Sequence, residues 1–122
     1  MKTCLIVDDS NIIRTMLKMF VEKLGFATLE ADDGLIAKQM LKQQLPDLMI
    51  VDWSMPNIDG LTLVKWVREE LQAVEKPIII LCTANKSVEN IQQAILTGAN
   101  EYIIKPFTYD IIKNKLELVG MI

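Results

Sequence analysis

A chain of 122 residues with 51% hydrophobic and 24% charged residues is sized for one globular domain with a single two-sided core. A formal net charge of −3 offers no basic field to a nucleic acid backbone, and the lack of any histidine removes the commonest general base and metal ligand. Two cysteines, Cys4 and Cys82, are too few for a zinc site, and both lie in apolar runs, where a free thiol behaves as a small hydrophobe in a reducing compartment.

The N-terminus runs directly into Cys4-Leu5-Ile6-Val7, an apolar strand that stops at Asp8-Asp9. No signal-peptide pattern precedes it and no run approaches membrane-spanning length, so a cytoplasmic protein without membrane insertion is expected. Ser10 suits an N-cap for a helix carrying Ile13, Met16, Leu17, Phe20 and Leu24, closed by Gly25. Ala27 to Ala31 reads as a second strand. After the turn Asp32-Asp33-Gly34, a stripe of Ile36, Ala37, Met40 and Leu41 predicts a helix to about Leu45, which Pro46 ends.

Leu48-Met49-Ile50-Val51-Asp52 is the third strand, apolar throughout until its last residue, and the loop Trp53 to Gly60 follows at once. Asp59 suits the cap of a helix marked by Leu63, Val64, Val67 and Leu71, on which Trp66 reads as a packing residue. Ile78 to Thr83 is the fourth strand and the most apolar stretch of the chain. Val88, Ile91 and Ile95 mark a fourth helix, ended by Gly98. Glu101 to Ile104 is a short fifth strand, Lys105-Pro106-Phe107 a loop, and Thr108 the cap of a last helix with Ile112, Leu116 and Val119 inward.

Five strand–helix units with continuously apolar strands imply an α/β fold: a parallel sheet covered by helices on both faces. Right-handed crossovers favour the flavodoxin-like (βα)5 three-layer sandwich with strand order 2-1-3-4-5 over residues 1–122. That order brings Asp8 and Asp9, Asp52, Thr83 and Lys105 to one edge of the sheet. Taken singly each has a plain structural role: Asp8-Asp9 as a solvated turn, Asp52 as a cap or salt-bridge partner, Thr83 as a strand-end hydroxyl or cap, Lys105 as a surface charge. Together, three carboxylates in one crevice repel one another unless a cation is bound. An oxygen-only set without His or thiolate selects a hard ion, and open positions for water and a phosphoryl oxygen suit Mg²⁺ better than Ca²⁺.

The set Val7-Asp8-Asp9, Asp52 with Met55-Pro56 and Asp59-Gly60, Thr83-Ala84 and Lys105-Pro106 resembles the receiver domain of two-component response regulators, from Cys4 to about Val119. Trp53, Tyr102 and the run Lys105-Pro106-Phe107-Thr108 are most similar to the single-domain chemotaxis regulators of that family. The resemblance implies that Asp52 takes a phosphoryl group from a phosphohistidine on a sensor histidine kinase. It implies that Asp9, Asp52 and the Ser54 backbone carbonyl ligate Mg²⁺, with Asp8 acting through water and by positioning. Lys105, the Thr83 hydroxyl and the Ala84 N–H would hold the phosphoryl oxygens. Tyr102 would turn inward as Thr83 moves, and the Lys105-Pro106 peptide would be cis.

With no output domain after the last helix, the expected output is contact with another protein through the face of helix 4, strand 5 and helix 5. Helix 4 carries Asn85, Lys86, Ser87, Glu89, Asn90, Gln92 and Gln93, which fits either a docking surface or a plain solvated face. Ser54 and Asn85 occupy positions that tune aspartyl phosphate lifetime in the family. Two functions share these residues: a binding switch whose target is a downstream protein such as a flagellar motor component, and a carrier that passes its phosphoryl group to a histidine phosphotransfer protein. A monomer or weak dimer is expected in either case. A flavin-binding electron carrier of the same fold would need a hydroxyl- and Gly-rich loop after strand 1, where Asp8-Asp9 would instead repel the flavin phosphate. A turnover enzyme is disfavoured, since the chain has no histidine base and no evident substrate pocket beyond the phosphoryl site.

Overall fold

In the computed structural model, which describes residues 1–122, the five apolar runs form one parallel sheet. Its strands are β1 (Thr3–Val7), β2 (Ala27–Ala31), β3 (Leu48–Asp52), β4 (Ile78–Thr83) and β5 (Glu101–Ile104), in the order β2-β1-β3-β4-β5. This is the flavodoxin-like order expected from the alternation of elements. The helices are α1 (Asn11–Lys23), α2 (Gly34–Gln43), α3 (Gly60–Lys65), α4 (Val88–Thr97) and α5 (Tyr109–Leu118); α3 runs on into a π-helical turn, Trp66–Glu70. No helix is long and apolar enough to cross a membrane.

Each α-helix starts on a side-chain cap. Ser10, Asp33, Asp59, Ser87 and Thr108 accept the backbone N–H three residues on, from Ile13, Ile36, Thr62, Asn90 and Ile111. These oxygens satisfy donors that a helix cannot satisfy within itself.

The strand alternation divides the core in two. Cys4, Ile6, Leu48, Ile50, Ile80, Cys82 and Ile103 pack with Leu17 and Val21 of α1 and Ile112 and Leu116 of α5. Leu5, Val7, Met49, Val51, Ile79 and Leu81 pack on the opposite face with Ala37, Leu41, Leu63, Val64, Val67 and Ala94. Both thiols are buried and free, and burial pushes them up, Cys82 to about 12, so they stay protonated hydrophobes.

Two boundaries differ from the sequence expectation. The second helix ends at Gln43, short of Leu45: Gln44 is already extended (φ −159°, ψ 133°), and Leu45, the residue before Pro46, is disfavoured in the helical region. The fourth begins at Val88, so Asn85, Lys86 and Ser87 precede it, with the Asn85 Oδ1 accepting the Ser87 N–H at 2.8 Å. The apolar stripe of α4 also faces outward. Only Ala94 is buried, whereas Val88 is 64% and Leu96 87% exposed. Over an edge strand of four residues the sheet offers little apolar surface, and a small alanine makes the contact.

Candidate functional site

Register alone sets most of the site. β1 and β3 pair through Val7↔Val51, so Asp8 and Asp52 stand side by side one residue beyond that pair. Side chains alternate along a strand, and Asp8 continues the face of Cys4 and Ile6 as Asp52 continues that of Leu48 and Ile50. The Lys105 N–H bonds the Thr83 carbonyl at 2.8 Å, which extends β5 along β4 and brings the lysine to the same sheet edge. Lys105 Nζ lies 2.9 Å from Asp52 Oδ1 and 3.4 Å from Asp8 Oδ2. Asp8 Oδ1 accepts the Ser10 N–H at 2.9 Å.

The chain doubles back directly beneath Asp52. The Gly60 N–H bonds the Trp53 carbonyl at 2.8 Å, and a Cβ on Gly60 would overlap the Asp52 carbonyl oxygen. Glycine is therefore required there by close backbone approach, and Asp59 beside it caps α3. Loop and helix start are thus bound to the strand end that carries Asp52.

Asp8 is 1% and Asp52 7% exposed, whereas Asp9 is exposed. Ligand oxygens of Asp8, Asp9 and Asp52 all lie within 4.8 Å of one another, a grouping able to hold a metal ion. Burial holds the Asp52 carboxyl above its usual range, the Lys105 contact opposes this, and the charges of Asp8 and Asp9 add to it. Burial pulls Lys105 down, but its hydrogen bond to Asp52 and the two carboxylate charges outweigh that and hold it above its usual value. One ammonium against three carboxylates leaves two negative charges uncompensated, the charge of one divalent cation. Carboxylate oxygens without nitrogen or sulfur are the ligands Mg²⁺ takes, so the residues present fit that ion.

On the other side of the crevice the Thr83 Oγ1 accepts the Asn85 N–H at 3.0 Å, which leaves its hydroxyl proton free to donate. Ala84 is exposed, and its N–H has no protein acceptor. Tyr102 pairs with Leu81 in register and Ile104 with Thr83, so Tyr102 and Thr83 are near neighbours on one face of the sheet. The half-buried Tyr102 ring has the Lys115 ammonium 4.1 Å from its centroid. The Lys105-Pro106 peptide is cis, and so is Lys76-Pro77, which no motif marks. Ser54 is exposed in the loop after Asp52.

Sequence reasoning overlooked Arg14. Its guanidinium donates to the Asp8 carbonyl oxygen at 2.6 Å from the second turn of α1. Its position four residues after Ser10 was the available signal, since the first turns of α1 adjoin the Asp8-Asp9 loop. An apolar groove of about 490 Å³, lined by Ile13, Met16, Ala84, Lys105, Pro106 and Phe107, adjoins the cluster through Lys105. The largest cavity, about 570 Å³ between α3 and α4, is lined by none of the carboxylates of the cluster.

A family model described as "Response regulator receiver domain" matches residues 4–117. The chain is 40% identical over 116 residues to the chemotaxis protein CheY-3 of Vibrio cholerae, covering 94% of this chain and 88% of that one. It is 41% identical over 117 residues to the chemotaxis protein CheY1 of Helicobacter pylori, covering 94% of each. Among solved structures, the chemotaxis response regulator CheY4 of Vibrio cholerae superposes with a TM-score of 0.89 at 31% identity, over 98% of both chains. The response regulator TrrA of Thermotoga maritima, solved with Mg²⁺ and a beryllium fluoride, superposes with a TM-score of 0.84 at 31% identity over 98% of this chain and 99% of that one.

Proposed function

Because this chain belongs to the response regulator receiver domain family, whose members are signalling proteins and not turnover enzymes, we propose that its phosphoryl acceptor is Asp52. The observation that carries the reading is the Asp52 carboxylate itself, buried at a strand end, bonded to Lys105, and with Asp8 and Asp9 oxygens within reach of one shared cation. An Asp52 oxygen attacks the phosphorus of a phosphohistidine on a sensor histidine kinase. The P–O bond forms as the P–N bond breaks, and the electron pair leaves with the imidazole.

Asp9, Asp52 and the Ser54 backbone carbonyl would hold Mg²⁺, with Asp8 positioning it through water, and the ion would supply charge neutralisation at the transferring group. Lys105 exchanges its contact with Asp52 Oδ1 for a phosphoryl oxygen. The Thr83 hydroxyl and the Ala84 N–H donate to the remaining oxygens. The groove along Ile13, Met16, Pro106 and Phe107 gives the kinase an apolar landing beside the acceptor. Output follows through the face of α4, β5 and α5, where Val88, Ile95 and Leu96 stand exposed, and the CheY relatives favour a chemotaxis-type target in the cytoplasm.

The test uses Trp53 as reporter in a Trp66→Phe background. Tryptophan emission is expected to change on adding Mg²⁺ and again on adding acetyl phosphate, with a mass gain of one phosphoryl group. Asp52→Asn is expected to lose the donor step and the mass gain. A wild type silent to both acetyl phosphate and a phosphohistidine kinase would remove the assignment. Rapid return of the group to a histidine phosphotransfer protein, ahead of hydrolysis, would make the chain a relay carrier.

A further inference from the structure

We propose that Arg14 is a positioning residue for the cation, acting through the peptide that joins Asp8 to Asp9; this rests on the Mg²⁺ reading above. Each of the three carboxylates needs something to fix it. Asp52 has Lys105 at 2.9 Å, and Asp8 has the Ser10 N–H at 2.9 Å and Lys105 at 3.4 Å. The Asp9 carboxylate is exposed and accepts no hydrogen bond. Its placement therefore depends on the backbone that carries it.

That backbone is clamped from both sides. The Asp8 N–H bonds the Ala31 carbonyl at 3.2 Å, continuing the β1–β2 ladder by one step. The Asp8 carbonyl, part of the peptide unit leading into Asp9, receives the Arg14 guanidinium at 2.6 Å. A charged donor at this distance makes one of the stronger hydrogen bonds available to a carbonyl. It fixes the rotation of the peptide plane and with it the direction in which Asp9 leaves the strand.

The guanidinium is itself anchored. Its side chain is only 12% exposed, with Nε 3.2 Å from Glu30 Oε1 and a further contact to Asn11 Oδ1. Glu30 also lies 3.9 Å from Lys18 Nζ. The carboxylate of Glu30 offsets the charge of Arg14, so the clamp orients the ligand loop with little repulsion toward an incoming cation. A planar fork can bridge Asp8, Glu30 and Asn11 at once, which a lysine ammonium on a flexible stem does less well.

The experiment measures Mg²⁺ dissociation constants by Trp53 emission in the Trp66→Phe background, with metal-free unfolding midpoints recorded alongside. Removing a partner that orients a ligand typically weakens metal affinity by about tenfold or more, and Arg14→Ala is expected to do so. Arg14→Lys, which keeps a charged donor within reach of the carbonyl, is expected to recover part of that loss. A purely structural arginine would lower the metal-free midpoint and leave affinity alone. An Arg14→Ala dissociation constant within about twofold of the reference, below the range for ligand-orienting partners, would overturn the proposal. If Arg14→Ala does not fold, Arg14→Gln takes its place under the same criterion. A reference protein with no Mg²⁺ response would overturn the metal reading itself, an outcome distinct from unchanged affinity in the variants.

Discussion

Ionised Asp52 is unfavourable in the folded chain when no metal is bound. Burial is the main cause and the carboxylates of Asp8 and Asp9 add to it; Lys105 compensates incompletely, so the folded pKa stands above the ordinary value of 3.8. The sign of the pH effect follows. Between the ordinary value and the raised one, the folded protein binds more protons than the unfolded chain, so metal-free stability falls as pH rises through that window. Asp52→Asn removes the titration. In EDTA at pH 7 the variant is expected to be more stable than the wild type by ~1 kcal/mol, with the advantage disappearing toward acid pH. Saturating Mg²⁺ is expected to reverse the order, since a ligand at a hundred times its dissociation constant stabilises by ~2.7 kcal/mol and only the wild type retains the full ligand set. Urea unfolding of both proteins across pH, with EDTA or Mg²⁺, reads every part of this. A metal-free Asp52→Asn less stable than wild type at pH 7 would mean that the Lys105 pair outweighs desolvation.

At the scale of the element, the end of α3 is secured by one side chain. Arg68 in the π-helical turn donates from Nε to the Gly98 carbonyl at 3.0 Å, from Nη1 to Ala73 at 2.7 Å, and from Nη2 to Pro77 at 2.8 Å and to Asn100 Oδ1 at 3.0 Å. The Asn100 Oδ1 also accepts the Ile79 N–H at 2.8 Å, so one amide and one guanidinium join α3, the approach to β4 and the α4–β5 turn. Arg68→Ala leaves several carbonyls short of a donor and is expected to cost ~2–3 kcal/mol in chemical denaturation, with Arg68→Lys in between. A loss below ~0.5 kcal/mol would show that water replaces the guanidinium at no net cost. None of this was legible in the sequence, because Arg68 on a charged helix face looks like any solvated cation, and its partners are carbonyls from separate segments. Caps were readable, since Ser10, Asp59 and Thr108 act within three residues of themselves. So was the sheet, whose inner strands β1, β3 and β4 are apolar on both faces and whose order follows from handed crossovers. The helix α4 was legible from Val88, Ile91 and Ile95, but the exposure of Val88 and Ile95 was not, because periodicity identifies a helix face without saying what covers it.

Across the whole molecule, the proposed phosphoryl group at Asp52 would have to be felt more than one strand away, and the fold provides a short route. Thr83 ends the strand next to β3, its hydroxyl proton is uncommitted, and Tyr102 stands on the same face one register step along β5. The ring is held in its present position by Lys115 of α5, a cation–π contact worth ~0.5–1 kcal/mol where solvent reaches it. That is small enough for a new hydrogen bond at Thr83 to shift the balance, since a ligand moves a two-state equilibrium only by its differential affinity for the two states. The convergence of Asp8, Asp9, Asp52, Thr83 and Lys105 was legible because each closes a strand, whereas the dependence of Tyr102 on Lys115 needed the geometry of α5. Hydrogen exchange followed by mass spectrometry provides the check. With Mg²⁺ and acetyl phosphate, amides of the segment after Thr83, of α4 and of β5 are expected to change protection together, while β1 and β2 stay as they were. Thr83→Ala is expected to gain the phosphoryl mass at Asp52 yet lose that change, because the acceptor is intact and the connecting hydroxyl is gone. Tyr102→Ala should keep the response near Thr83 and lose it in β5. A Thr83→Ala protein that still alters α4 and β5 on phosphorylation would place the connection elsewhere, with Lys105 and the loop into α5 as the remaining covalent path from the site to that face.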